Sequence, residues 1–449
     1  MARQSSVGWS GRLPGSNSFS PSRCSSAANV RDTLGWDLPS ALALRSAPHD
    51  QRWRPESPDV AGPLSYHHVM LWDFNSIKLI FSFATLGRQS KAVGPIVNLI
   101  TSLKNKQKTR FGAGIRHQLP DELAALGCSH ALLLSTPQQS DTAMDLAAGL
   151  NGHVAGIYSR ATMHTPVDVT EDAVCHARDV GADCLVSVGG GSTTGLGKAI
   201  ALRTDLPQIV IPTTYAGSEA TPILGQTEGG VKTTLTDAKV LPEVILYDPE
   251  LVVSLPSAMT VTSGLNAIAH AAEALYAKDR TEPTSQLAIE GMKAFAQSLP
   301  ILVNTPDDLP AREASLQGAY ACGAVLGSVG MALHHKLCHT LGGSFDLPHA
   351  ETHAIVLSHA VHFNAQAVPD LLTPVSKIFD GDAPGLALWD FAKSLGAPMA
   401  LRDLGVAESD LDRATEIALS KPYWNPREIT APGIRALLQN AWSGDAPGT

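Results

Sequence analysis

The chain has 449 residues, 44% of them hydrophobic and 17% charged, which leaves room for two or three domains around sizeable cores and is ordinary for a globular enzyme. A formal net charge of −9 provides no basic field, which argues against nucleic acid or an anionic membrane as partner while leaving room for a local basic pocket that takes an acidic substrate. Six scattered cysteines (Cys24, Cys128, Cys175, Cys184, Cys322, Cys338) form no C-x-x-C pair, so reduced thiols in an intracellular protein are expected and disulfides are not.

Residues 1–31 carry Arg3, Arg12, Arg23 and Arg31, nine serines and no acid. Mitochondrial transit peptides share this composition, but Gly, Ser and Pro spoil an amphipathic helix, so a disordered leader is expected. The protein is then cytoplasmic, with mitochondrial import only if the leader is genuine. VMLWDFNSIKLIFSF (69–83) is the most apolar run, yet Asp73, Asn75 and Lys78 interrupt it well short of the ~20 residues a membrane span needs. A packed helix or strand is predicted there, and no membrane anchor. Residues 1–108 as a whole read as an N-terminal extension to which no function is assigned.

From about residue 109, short β-branched or leucine-rich runs alternate with helical segments. ALLLST (131–136), VAGIY (154–158), CLVSV (184–188), IVIPTT (209–214) and VILYDP (244–249) read as buried strands, and EDAVCHARDVGA (171–182) and TGLGKAIALRT (194–204) as helices. This order predicts an α/β nucleotide-binding domain, a doubly wound parallel sheet, over residues 109–254. Within it SVGGGSTTGLGKAIAL (187–202) is a strand, a glycine turn and a helix in succession. Glycines let a pyrophosphate approach the backbone, and a helix N-terminus offers free N–H groups. Gly189, Gly190, Gly191, Ser192 and Thr193 are therefore candidate dinucleotide contacts. Thr213 and Thr214 end another strand and border the same ligand, because ligands of open α/β sheets lie beyond the strand carboxyl ends. The first strand ends ALLLSTPQQ with no acid before Asp141 to repel a 2′-phosphate, so Ser135 and Thr136 can approach either ribose, and NADH and NADPH both remain open.

After SLPSAM (254–259) strand signals vanish, and an all-α domain is predicted over 255–449. Half of the sixteen histidines fall between 270 and 362. GLNAIAHAAEALYA (264–277) sets Asn266 one helical turn before His270. HHKLCHTLGGSFDLPHAETHAIVLSH (334–359) sets His335 one turn before His339, and His349 one turn before His353. Imidazoles from separate segments can converge on an ion or a substrate.

FGAG (111–114), MHTPVDVT (163–170), GGGSTTGLGKAIAL (189–202), IPTTYAGSEATPILGQTE (211–228), SGLNAIAHAAEALYA (263–277), LHHKLCHTLGGSFDLPHAETHA (333–354) and NPREITAPGIRALLQNAW (425–442) keep their order over nearly all of residues 109–449. Together they resemble the iron-containing alcohol dehydrogenase superfamily, of dehydroquinate synthase-like fold, and within it the maleylacetate reductase branch. The resemblance implies NAD(P)H-dependent reduction of a small dicarboxylate enone, maleylacetate, to 3-oxoadipate in aromatic compound breakdown, carried out by a homodimer. It also implies a cofactor-side lysine at Lys239 and a histidine beside the nicotinamide at His339. Metal-dependent relatives bind iron or zinc through one Asp and three His, and those positions here are Asn266, His270, His335 and His349. Asn266 departs from that set but fits the reductase branch. A neutral amide oxygen is a poorer ligand than a carboxylate, so metal independence is expected. The catalytic candidates are then His339, His270, His335 and His349, as protonated or hydrogen-bond-donating imidazoles that stabilise an enolate, with His353 behind them. Two alternatives stay open: a metal-dependent alcohol dehydrogenase or hydroxyacid–oxoacid transhydrogenase of the same fold, and a non-catalytic nucleotide-binding protein.

Overall fold

A computed structural model of the chain describes residues 107–448, so the leader and the apolar run at 69–83 lie outside the described residues. The described residues form eight strands: β1 (Lys108–Phe111), β2 (Ala131–Leu134), β3 (Val154–Tyr158), β4 (Cys184–Gly189), β5 (Gln208–Pro212), β6 (Ile223–Glu228), β7 (Val231–Thr236) and β8 (Val244–Tyr247). Among them run four helices, α1 (Leu119–Leu126), α2 (Ser140–Ala148), α3 (Val167–Asp179) and α4 (Gly191–Thr204). Six strands form one parallel sheet in the order β1-β8-β5-β4-β2-β3. Every residue of β2, β4, β5 and β8 is buried, which is why their sequences read as continuous apolar runs.

Two features escape the sequence pattern. β1 is an edge strand, KTRF, in which exposed and half-buried residues alternate, and Lys108 and Arg110 both pair with the buried carboxylate of Glu122. β6 and β7 form a separate antiparallel hairpin, closed by Gly229 and Gly230 with φ of 55° and 78°. Two consecutive positive φ values give the hairpin turn that matches strand twist, and glycine adopts them freely. β7 is polar and mostly exposed, so no apolar period announces it.

The sheet order fixes the ligand crevice. From β2 the chain moves outward to β3, then returns to β4 on the other side of β2 and continues to β5 and β8. The reversal lies between β2 and β4, and ligands of open α/β sheets bind beyond the strand carboxyl ends at such a switch point. Ser135 and the glycine turn follow these two strands directly.

From residue 257 on, the described residues are helical: α5 (Ser257–Tyr276), α6 (Glu282–Asn304), α7 (Leu309–Leu326), α8 (Leu333–Phe345), α9 (His349–Ala365), α10 (Pro369–Ile378), α11 (Pro384–Ser394), α12 (Asp410–Leu419) and α13 (Ala431–Ser443). α5 is buried without interruption from Thr260 to Tyr276, so it is a central helix with no solvent face. The break in secondary structure near residue 255 is not a break in packing, because Tyr215, Ile245 and Tyr247 share one apolar cluster with α5, α6 and α7. Fully buried Arg312 staples the join. Its guanidinium donates to the Tyr215 hydroxyl at 3.0 Å, to Thr260 Oγ1 at 2.9 Å and to the Leu255 carbonyl at 3.3 Å. Gly217, with φ of 74°, and Gly323 of α7 also meet backbone to backbone, and a Cβ on Gly323 would lie 2.3 Å from the Gly217 carbonyl oxygen.

None of the described helices is long and apolar enough to cross a membrane, and Cys128, Cys184, Cys322 and Cys338 are buried free thiols.

Candidate active site

The nucleotide side of the site is built by the start of α4. Its N-cap is Gly190, and no side chain caps the first turn, so the N–H groups there are free to meet an anion. Gly189 (φ 155°) and Gly190 leave no space for a side chain. A Cβ would lie 2.4 Å from Thr193 Oγ1 at the first and 2.7 Å from Thr214 Cγ2 at the second. Thr193 Oγ1 is buried without a partner, and Thr213 Oγ1 accepts from Gln139 Nε2 at 2.6 Å. Ser135 donates to Ser159 Oγ at 2.8 Å, which leaves half-buried Thr136 as the freer of the two ribose-side hydroxyls. Gly189–Thr193, Thr213, Thr214, Ser135 and Thr136 are thus gathered at the switch point.

Lys239 is not. Its ammonium pairs at 3.2 Å with Asp205, the C-terminal cap of α4. At 1.5 Å per residue that cap lies about 20 Å along the helix from the glycine turn. The lysine therefore neutralises a surface carboxylate at the opposite end of the helix.

The second phosphate-side loop leads directly to the histidines, because the Ala216 carbonyl lies 3.4 Å from His270 Nε2. His270 on α5 and His335 on α8 are both buried and hydrogen-bond to each other, Nδ1 to Nε2, at 2.9 Å. His335 Nδ1 lies 2.6 Å from Glu273 Oε2. The Glu273 carboxylate also accepts the backbone N–H groups of Ala332 (3.0 Å) and His334 (2.8 Å) and the Tyr276 hydroxyl (3.2 Å). A carboxylate from α5 therefore caps the N-terminus of α8, where its charge opposes the positive end of the helix dipole. His334 bonds through Nε2 to the His353 carbonyl at 3.0 Å. His353, fully buried, has neither ring nitrogen paired, and its ring lies 4.1 Å from that of His349 and 5.2 Å from that of His335. On the open side, His349 is half-buried and His339 is reached by solvent, with its ring 6.2 Å from that of His335.

Charge sorts these groups further. Burial holds His270, His335, His349 and His353 well below the ordinary imidazole range, reinforced by the neighbouring imidazoles, and brings His334 and His339 down to about 4. His339 shows that solvent contact and desolvation coexist in a cleft, where water touches an atom largely surrounded by protein. The cluster is neutral at pH 7, so the sequence expectation of protonated or hydrogen-bond-donating imidazoles narrows to donation by neutral rings. His335 has both nitrogens committed, to Glu273 and to His270, which removes it from direct contact with a reacting atom.

The hairpin contributes a cation. Thr227 of β6 donates its backbone N–H to the Thr165 carbonyl at 3.2 Å, and Lys232 of β7 is the cross-strand partner of Thr227. Lys232 is half-buried, and burial lowers its pKa; no carboxylate among the described residues pairs with it. Its charge acts on His339, His349 and His164.

The four positions Asn266, His270, His335 and His349 make a weak set for an iron or zinc ion, because Asn266 offers a neutral amide in place of a carboxylate and the His335 nitrogens face Glu273 and His270. Among the described residues the imidazoles whose nitrogens gather within 4.8 Å are His334, His335 and His353 instead. Asn266 Oδ1 is buried and has no donor.

Glu273 and Lys232 did not stand out in the sequence. A lone acid three residues after His270 in an Ala- and Leu-rich helix was the available signal for Glu273, since a buried carboxylate is costly unless paired. Nothing local distinguished Lys232.

Residues 106–249 match the family described as iron-containing alcohol dehydrogenase, and residues 260–442 match the Fe-containing alcohol dehydrogenase family, C-terminal. A maleylacetate reductase of Rhizobium sp. (strain MTP-10005) is 58% identical over 337 residues, covering 75% of this chain and 96% of the relative. The crystal structure of maleylacetate reductase from Agrobacterium tumefaciens superposes with a TM-score of 0.74 at 56% identity, over 76% of this chain and 97% of that one. A sulfoacetaldehyde reductase from Bifidobacterium kashiwanohense, solved in complex with NAD+, shares the fold with a TM-score of 0.70 at 24% identity, over 76% and 98% of the two chains.

Proposed function

The chain belongs to the iron-containing alcohol dehydrogenase family, and from that premise we propose that it is an oxidoreductase that reduces maleylacetate to 3-oxoadipate with a nicotinamide dinucleotide as hydride donor. The uncapped N-terminus of α4 and the glycine turn take the pyrophosphate of NAD(H). With no carboxylate after β2, NADPH is accepted as well.

Maleylacetate is a ketone conjugated to a carbon–carbon double bond, with a carboxylate at each end. Hydride adds to the carbon β to the ketone, charge moves to the ketone oxygen as an enolate, and a proton then reaches the α-carbon. An alcohol dehydrogenase must stabilise an alkoxide, for which a metal ion serves as Lewis acid. An enolate is less basic, and neutral imidazole N–H groups suffice as oxyanion donors. His339, open to solvent, donates its N–H to the enolate and relays a proton from water to the α-carbon, taking one up at one ring nitrogen as it gives one up at the other. His349 is the second donor, and His270 lines the floor between nicotinamide and substrate. Lys232, an ammonium without a counter-ion in the described structure, receives a substrate carboxylate.

The observation that carries this reading is the buried neutral amide of Asn266 at the position where metal-dependent relatives carry an aspartate, a weaker ligand for a divalent ion than a carboxylate. The test is oxidation of NADH and NADPH by the purified full chain with maleylacetate, before and after exhaustive chelation. Turnover that survives chelation is expected. Turnover lost on chelation and restored by Fe²⁺ or Zn²⁺ would replace this reading with a metal-dependent dehydrogenase.

A further inference from the structure

The turn that enters α3, Met163-His164-Thr165-Pro166, holds two consecutive residues in left-handed backbone, His164 with φ of 65° and Thr165 with φ of 46°. A β-branched residue adopts that conformation only where its surroundings impose it, and such strain gathers at functional sites. Here the Thr165 carbonyl accepts the Thr227 N–H at 3.2 Å, and Pro166 forms a parallel β-bridge with Thr227. The Pro166 carbonyl accepts the Thr170 N–H at 3.0 Å and the Thr170 hydroxyl at 2.9 Å. Thr165 is buried against α4, its Oγ1 2.4 Å from where a Cβ on Gly195 would stand. The turn is thus pinned between the helix of the glycine turn and the hairpin, and no described residue hydrogen-bonds the half-buried His164 ring.

The hairpin beside this turn also carries donors. Thr227 and Lys232 lie directly opposite each other across β6 and β7, so their side chains leave the same face. The Thr227 hydroxyl is buried with no partner, which is costly until an acceptor reaches it. Burial and then the charge of Lys232 lower the His164 pKa, while exposed Asp346, the C-terminal cap of α8, raises it. The same lysine charge reaches His339 and His349 on the helical side of the cleft. An ammonium, a hydroxyl and an imidazole that keeps an N–H in either tautomer are gathered there.

We propose that His164 is a specificity-determining residue which, with Lys232 and Thr227, binds one terminal carboxylate of the substrate. This role rests on the reaction proposed above. Lys232 supplies charge, and the imidazole N–H and the threonine hydroxyl fix where the carboxylate oxygens sit, so an enone bearing a carboxylate at that end is selected over one without it. Because the strained turn holds His164 in place beforehand, little ordering is left to occur on binding.

The test removes the ring and spares the turn. Glycine adopts left-handed backbone freely and asparagine more readily than most residues, so His164→Gly deletes the imidazole and His164→Asn restores a donor. With the full chain and NADH, His164→Gly is expected to raise KM for maleylacetate about tenfold or more, as for a lost hydrogen bond to a charged group. Most of the loss should lie in KM and not in kcat, with the Kd for NADH unchanged. His164→Asn should recover part of it, and Thr227→Val, which keeps the side-chain shape, is an independent variant that should raise KM as well. Two analogues, each with a methyl group in place of one carboxylate, identify the contact: the His164→Gly loss should persist with one and vanish with the other. An equal loss with both, or an unchanged KM for maleylacetate, overturns the proposal and leaves the reduction standing. If the wild type does not reduce maleylacetate, calorimetry with adipate, a saturated dicarboxylate of the same chain length, separates the two. Weaker adipate binding by His164→Gly keeps the carboxylate subsite while the substrate assignment falls, and equal binding removes both.

Discussion

His270 Nδ1 and His335 Nε2 meet at 2.9 Å across the contact of α5 with α8, and that bond occupies the nitrogen His335 would need to present to an ion. Chelation should therefore leave turnover intact. The converse is also testable. Asn266→Asp places a negative charge one helical turn from His270, and affinity for Zn²⁺ in a competition titration should rise by at least about tenfold, since ligand charge sets affinity at such sites. Equal Zn²⁺ affinity in wild type and variant would show that Asn266 is not what keeps the ion out.

His339→Ala should lower kcat by about 10²–10⁴-fold, the usual contribution of a positioned acid. NADH binding, followed by fluorescence titration, should be unchanged, because the glycine turn lies on another element. Parallel losses in both would remove His339 from the chemistry and make it a cofactor contact.

Lys232→Met keeps the aliphatic stem and removes the charge. KM for maleylacetate should rise by about 10–100-fold, as expected for a charge-assisted hydrogen bond worth about 1.5–3 kcal/mol. The Kd for NADH should stay put. If the loss appears in NADH binding and not in KM, the lysine serves a cofactor phosphate.

Gly190→Ala would set a methyl group 2.7 Å from Thr214 Cγ2. The turn must shift where the pyrophosphate approaches, and NADH affinity should fall at least about tenfold with kcat at saturating NADH largely kept. An unchanged Kd would place the pyrophosphate elsewhere.

Stability should fall as the solution is acidified. Fully buried His334 is held at about 4, below its value of 6.5 in the unfolded chain, so between these pH values the unfolded state binds more protons. Its contribution is complete above pH 6.5 and is lost as pH falls through 4, amounting to about 3 kcal/mol from this residue alone. Urea unfolding at pH 7, 6 and 5 measures the slope, and a flat profile over that range would contradict neutral burial.

The sheet was legible because β2, β4, β5 and β8 are buried on both faces and show it as unbroken apolar sequence. β7 was illegible for the opposite reason, having no buried face. The glycine turn could be read from its place between a strand and a helix. Lys239 was misplaced because a motif position does not record which end of α4 a side chain faces, and Asp205 claims it. In the imidazole cluster the residue types were readable but their protonation was not. Whether His270 donates or accepts depends on His335, 65 residues away, and on Glu273 behind it. Such a chain of partners has no local periodicity.

Asn266 sits 3% exposed on a helix with no solvent side, where any change of volume would strain the packing around it. Asparagine and aspartate have nearly the same shape, so exchanging them alters charge and proton donors while displacing no neighbour. An ancestral lineage could therefore have crossed between ion-assisted and ion-free reduction by a single codon change that left the fold untouched. The branching of chemistry within this architecture needs no remodelled scaffold, only the swap of an oxygen for an amide nitrogen at its centre.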